Sequence, residues 1–149
     1  VTEPTSLNAA DELLWASLGR AVHLLPRTLD ADMVKATGLS MTEYAVLYSL
    51  ARTPDRRMRM TDLAAATGLS ASRISRVADH LASHGLLSKQ RSEGDARSSV
   101  ALLSDAGLRR QREADAHHVA IARRRVLDLV DPAHREAVGV ALERIADSA

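Results

Sequence analysis

The sequence predicts a mainly α-helical fold with one small β-hairpin, an α+β arrangement in which terminal helices flank a central unit. Three observations carry this. Apolar residues recur at helical spacing near both ends, as Leu14, Leu18, Ala21, Val22 and Leu25 and again as Val119, Ala122, Val126, Leu129 and Val130. Ile74, Val77, Ala78 and Leu81 stand at i, i+3, i+4 and i+7, the stripe of a short amphipathic helix. After Gly85, two six-residue runs, Leu86–Arg91 and Ser98–Leu103, enclose a polar tip, Ser92–Arg97.

Taken in order, the first helix is expected from Asn8 to about Lys35, bent or split at Pro26 and closed by Gly38. Ser40-x-x-Glu43 forms a capping box for a second helix containing Tyr44, Leu47, Tyr48 and Ala51. Pro54-Asp55-Arg56-Arg57 is a loop, with a short β segment around Met58 to Met60. A third helix begins at Thr61 and a fourth at Ser70, with the turn Thr67-Gly68-Leu69 between them. Past the hairpin, a long helix runs from Ser104 to about Leu129, Asp131-Pro132 breaks it, and a last helix covers Pro132 to Ile145.

The two short helices and the hairpin make chemical sense together as a DNA-reading device. Ser70 is a suitable N-cap, which puts Ser72, Arg73 and Arg76 in the first two turns, the part a recognition helix inserts into the major groove. Arginine there pairs with guanine O6 and N7. Arg97, near the hairpin tip, suits the narrow, electronegative minor groove, and Asp95 either orients it or makes the turn. Thr61, Ser70, Lys89 and Arg91 are expected nearer the phosphates, although Ser70 is a cap whether or not it touches DNA. Charge agrees with this division: residues 1–51 carry a net −3, residues 52–97 a net +4 and residues 98–149 a net 0.

In Leu63-Ala64, Leu69-Ser70-x-Ser72-x-Ile74-Ser75-Arg76, Leu81-x-x-x-Gly85-Leu86-Leu87, Asp95-x-Arg97 and Leu103-Ser104-x-x-Gly107 the chain resembles the MarR family of winged helix-turn-helix transcriptional regulators. The family usually has Thr where Ser104 stands, and Ser is an equivalent cap. The resemblance implies one domain over residues 1–149, with a reading part at 40–103 and a helical dimerisation part formed by 8–38 and 104–149. It also implies a homodimer that presents two recognition helices roughly 34 Å apart to an inverted-repeat operator. Its remaining implication is release of a repressor by a small aromatic acid or phenolic effector.

Composition restricts the alternatives. A chain of 149 residues suits a single domain, and no apolar run approaches the roughly 20 residues a membrane helix needs. With no signal-peptide pattern at the polar start, a cytoplasmic location is expected. Having no cysteine, the chain has neither disulfides nor thiol-based redox sensing. No nucleophile elbow, dinucleotide fingerprint or phosphate loop occurs, so an enzyme is not expected, nor is a cofactor. Glu113 with His117 and His80 with His84 have an i, i+4 spacing that zinc uses, but neither pair has an evident third ligand, and no metal is expected.

The aromatic residues are Trp15, Tyr44 and Tyr48, all in the first two helices and outside the two short helices and hairpin of residues 60–103. With Arg20, His23 and Arg27 on the first helix, and His118 on the helix that crosses nearby, they form the candidate set for an aromatic carboxylate. The structural alternative is that the aromatics fill the core and the arginines are solvated or paired across a dimer. Two other readings of the whole chain stand beside the ligand-responsive regulator: an effector-independent or architectural DNA-binding protein, and a protein-interaction winged helix.

Overall fold

A computed structural model describes residues 6–92 and 95–148, with the backbone alone at 92 and 95–98. Asn8 opens α1 (Ala9–Thr37) by accepting from the Ala10 and Asp11 N–H groups, and Gly38 closes it in the left-handed region at φ 74°. Of the bend or split expected at Pro26, the split does not occur: the proline lies inside one continuous helix. A proline inside a helix removes one hydrogen bond and costs about 3 kcal/mol. Here the segment beyond it is anchored by tertiary contacts: Met33 is fully buried, Leu29 packs on the core and Asp32 pairs with Arg124 and Arg125.

In α2 (Met41–Ala51) both halves of the capping box form. Ser40 Oγ accepts from the Glu43 N–H at 3.1 Å, and Glu43 accepts from the Ser40 N–H at 2.7 Å. The strand β1 (Arg57–Arg59) and the helix α3 (Met60–Thr67) each start one residue earlier than the sequence suggested. Gly68, at φ 66°, turns the chain into α4 (Ala71–Ser83), whose cap Ser70 accepts from the Arg73 N–H at 3.3 Å. Gly85 then leads into β2 (Leu87–Ser92), which pairs antiparallel with β3 (Asp95–Leu103). The sheet order is β1-β3-β2.

Other expected boundaries move too. The hairpin tip is shorter than the six residues expected, because Ser92 pairs with Asp95 and the strand β3 includes Arg97. Glu93 and Gly94, and the side chains of Asp95 and Arg97, lie outside the described residues. The helix α5 (Asp105–Arg125) ends short of Leu129, in a 3-10 turn over Leu127–Leu129. A second such turn over Pro132–His134 precedes α6 (Arg135–Asp147).

The core sits where the helices α1 to α5 and the sheet meet. It contains Met33, Leu47, Leu50, Leu63, Ile74, Ala78, Leu81, Leu87, Ala101, Leu103 and Ile121. The α4 stripe behaves as its spacing predicts, with Val77 half-buried at its border. On α5 the buried stripe is instead Gly107, Gln111, Ala114 and Ile121, while Val119 and Leu129 are exposed. Leu13, Leu14, Trp15 and Val22 of α1 are likewise exposed, as are Val138, Val140, Leu142 and Ile145 of α6.

The first turn of α5 is joined tightly to the wing. Ser104 Oγ accepts from the Gly107 N–H at 2.9 Å and donates to the Gly85 carbonyl at 2.7 Å. A Cβ on Gly107 would lie 2.0 Å from the Leu86 carbonyl oxygen, so only glycine permits this approach. Farther along α5, Arg110 donates to the Thr37 carbonyl at the end of α1.

Candidate nucleic-acid interface

The turn at Gly68 and the cap at Ser70 set the start of α4. Its first turn contains no acidic residue. Ser72, Arg73 and Arg76 are exposed on the side away from Ile74, Ala78 and Leu81, and among the described residues neither guanidinium has a hydrogen bond or ion pair. Ser70 Oγ lies 3.3 Å from Ser72 Oγ. Thr61 is exposed in the first turn of α3. The recognition-helix candidates therefore share one accessible surface, available for hydrogen bonds to base edges or phosphates.

The wing candidates divide. Arg91 is exposed, opposite Ser99 in the sheet. Lys89 is held within the protein: its Nζ donates to Asp79 Oδ1 at 2.7 Å and to Ser75 Oγ at 3.3 Å. Sequence spacing gave no sign of this pairing, because Asp79 and Lys89 belong to different elements.

The ligand candidates do not form one pocket. Trp15 is 71% exposed and lines an apolar depression of about 460 Å³ with Leu7, Leu14, Leu18 and Ile145. Arg20 lies in a groove of about 740 Å³ between α1 and the end of α5, beside Leu24, Leu25, Leu129 and Val130. His23 turns its Nδ1 toward the Gly19 carbonyl at 2.6 Å. Arg27 faces another groove, of about 540 Å³, together with Asp30, Ser40, Thr42, Val77 and Arg73. Tyr44, Tyr48 and His118 do assemble, with ring centroids 4.3 Å apart for Tyr44 and His118 and 5.8 Å for the two tyrosines.

That aromatic cluster joins α2 to α5 through a polar contact that sequence reading missed. The Tyr44 hydroxyl donates to Asp115 Oδ1 at 2.6 Å, and Gln111 lies 3.4 Å from the same oxygen. Burial, reinforced by the hydrogen bond to Asp115, pushes the Tyr44 phenol well above its ordinary range. Burial also lowers the pKa of His118, and the nearby Asp115 charge opposes that shift. Gln111, polar within an otherwise apolar stripe, was the available signal.

Asp32 was also missed. Hydrogen bonds from Arg125 and then Arg124 hold its pKa down to about 2. His80 Nε2 faces Glu43 Oε1 at 3.1 Å, and its ring is 4.6 Å from that of His84. Among the described residues no group of three or more His, Cys, Asp or Glu is placed to hold a metal ion. Among the same residues no helix is long and apolar enough to cross a membrane.

A profile of the MarR family matches residues 37–98, the stretch from the end of α1 into the wing. AbsC, a MarR family transcriptional regulator from Streptomyces coelicolor, is 32% identical and has a TM-score of 0.85, the match covering 97% of each chain. The chain belongs to the MarR family. Sco3205, a MarR family regulator from the same organism solved in complex with DNA, is 30% identical with a TM-score of 0.89, covering 97% of this chain and 91% of its own. PcaV, also from Streptomyces coelicolor and solved in complex with its natural ligand, is 25% identical with a TM-score of 0.72, covering 98% of each chain. No curated protein matches the sequence. This MarR protein is thus a winged helix-turn-helix, DNA-binding transcriptional regulator and not an enzyme.

Proposed function

We propose that this MarR protein is a homodimer that reads an inverted-repeat operator with two copies of α4 and represses transcription until a small aromatic or phenolic acid releases it. The observation that carries the DNA part is the exposed Ser72, Arg73 and Arg76 surface, with both guanidiniums uncommitted among the described residues. In this reading residues 40–103 form the reading part, and 8–38 with 104–149 form the dimerisation part. The exposed apolar residues of α1 and α6 support the second assignment, since a partner protomer would cover them. Arg97 serves the minor groove, with Asp95 beside it in sequence, and Thr61, Ser70 and Arg91 serve the phosphates.

For the effector, the groove between α1, α2 and α4 is the best-suited place. It presents Arg27 from the helical arm and Arg73 from the recognition helix. A carboxylate bound between them would hold Arg73 away from DNA, so ligand and operator compete for one side chain. Such a ligand shifts the equilibrium only by its preference for the DNA-incompetent arrangement. PcaV with its natural ligand is the precedent among relatives.

Selection of bound duplexes from a random pool tests the operator reading. An enriched inverted repeat, with affinity well above that for scrambled DNA at near-physiological salt, is the expected result. Failure to enrich any sequence overturns it and favours the architectural alternative. The effector part is tested by titrating operator affinity against a panel of aromatic acids. Release by at least one acid, lost in Arg27→Ala, is expected; unchanged affinity across a saturating panel overturns it.

A further inference from the structure

One side chain connects the wing to the recognition helix. Lys89 stands opposite Ala101, which is fully buried, so Lys89 projects from the sheet face turned toward α4. Ser75 and Asp79, its two acceptors, are four residues apart, so a single ammonium spans successive turns of α4. The Lys89 side chain is only 28% exposed, its stem lying in the gap. Farther out, Gln90 and Arg91 are exposed, and among the described residues no side-chain bond ties them to α4. Lys89 is therefore the outermost tie between wing and recognition helix among those residues.

We infer that Lys89, Asp79 and Ser75 form a positioning clamp that fixes the angle of the wing to α4 and keeps the wing's flanking contacts in phase with the base contacts of Arg73 and Arg76. Lys89 then acts through the wing and is not a phosphate ligand. The inference rests on the operator reading proposed above for its effect on DNA, but the clamp itself is a property of the free protein. Since the Asp79 side chain is 62% exposed, the ion pair contributes little to global stability and can be removed without unfolding the chain.

The test is a double-mutant cycle with Lys89→Met, Asp79→Asn and the double variant. Affinities are measured for the selected operator, for the same operator with scrambled flanks, and across a salt series. Amide exchange of the free protein is followed in parallel. The clamp predicts that each single variant lowers flank discrimination by about tenfold, the size of one lost sequence contact. The double variant does no worse, and central half-site discrimination and the salt slope stay unchanged. In the free protein, exchange should rise at Gln90 and Arg91 while Leu87 keeps its protection.

A salt slope that flattens by about 0.9 in Lys89→Met, with flank discrimination intact in Asp79→Asn, marks Lys89 as a phosphate contact and overturns the clamp. Unaltered exchange in both single variants overturns it as well. Should the wild-type chain prefer no sequence at all, the operator reading fails separately and the exchange data alone decide the clamp.

Discussion

At Arg76 the recognition helix offers a guanidinium with no partner among the described residues, while its neighbours on the inner face are packed. Replacing it with Ala should cost about 1–3 kcal/mol at a selected operator and little on random DNA, as measured by competition binding. A uniform loss on both would assign Arg76 to phosphate instead. Gly107 is the opposite kind of residue, fixed by space and not by chemistry. Gly107→Ala pushes a methyl group into the Leu86 carbonyl and should lower stability by about 1–3 kcal/mol or more in urea unfolding. His118 gives a pH dependence. Its folded pKa lies below the usual 6.5, so the unfolded chain takes up the proton more readily, and stability falls as pH drops below about 6.5. Unfolding midpoints between pH 5 and 7.5 should show this slope in the wild type and lose it in His118→Gln.

At the scale of elements, Ser104 joins α5 to the wing by capping the helix and bonding Gly85 in one step. Ser104→Ala should cost about 1–2 kcal/mol, whereas Ser104→Thr should keep the cap, and thermal melts of the two variants make the comparison. Such local features were legible in the sequence: the capping box at Ser40, the glycine turns at Gly68 and Gly85 and the α4 stripe depend on residues a few positions apart. Boundaries set by tertiary contacts were not. Pro26 argued for a bent or split helix, yet the helix is continuous, with Met33 and Asp32 held by groups deep in the core or some 90 residues away. The sequence places Lys89 nearer the phosphates and gives no sign of Asp79, which lies on another element, and Asp115 has no visible role until α2 and α5 are brought together. The ligand candidates were chosen by side-chain chemistry, and the fold separates Trp15, Arg20 and Arg27 into three different depressions.

For the whole molecule, the unpartnered apolar side chains on α1 and α6 are the feature to test. In the proposed dimer they are covered, so sedimentation equilibrium should give twice the chain mass. Leu14→Asp combined with Ile145→Asp should shift the equilibrium toward single chains and weaken operator binding, while the core that contains Leu47 and Ile74 remains folded. A wild-type protein that stays a single chain at micromolar concentration would remove the two-headed reading.

The unbroken α1 has a mechanical consequence. A helix of 29 residues at 1.5 Å rise per residue is about 44 Å long. One of its ends lies among the exposed apolar residues, and the other abuts Gly38, Arg110 and the cap of α2. In the dimer proposed above, a tilt of about 5° of this helix moving as one piece displaces its far end by about 4 Å, slightly more than the 3.4 Å step between stacked base pairs. For the proposed two-headed reader, a tilt of a few degrees at the arm is therefore enough to put a reading head out of phase by one rung of the duplex.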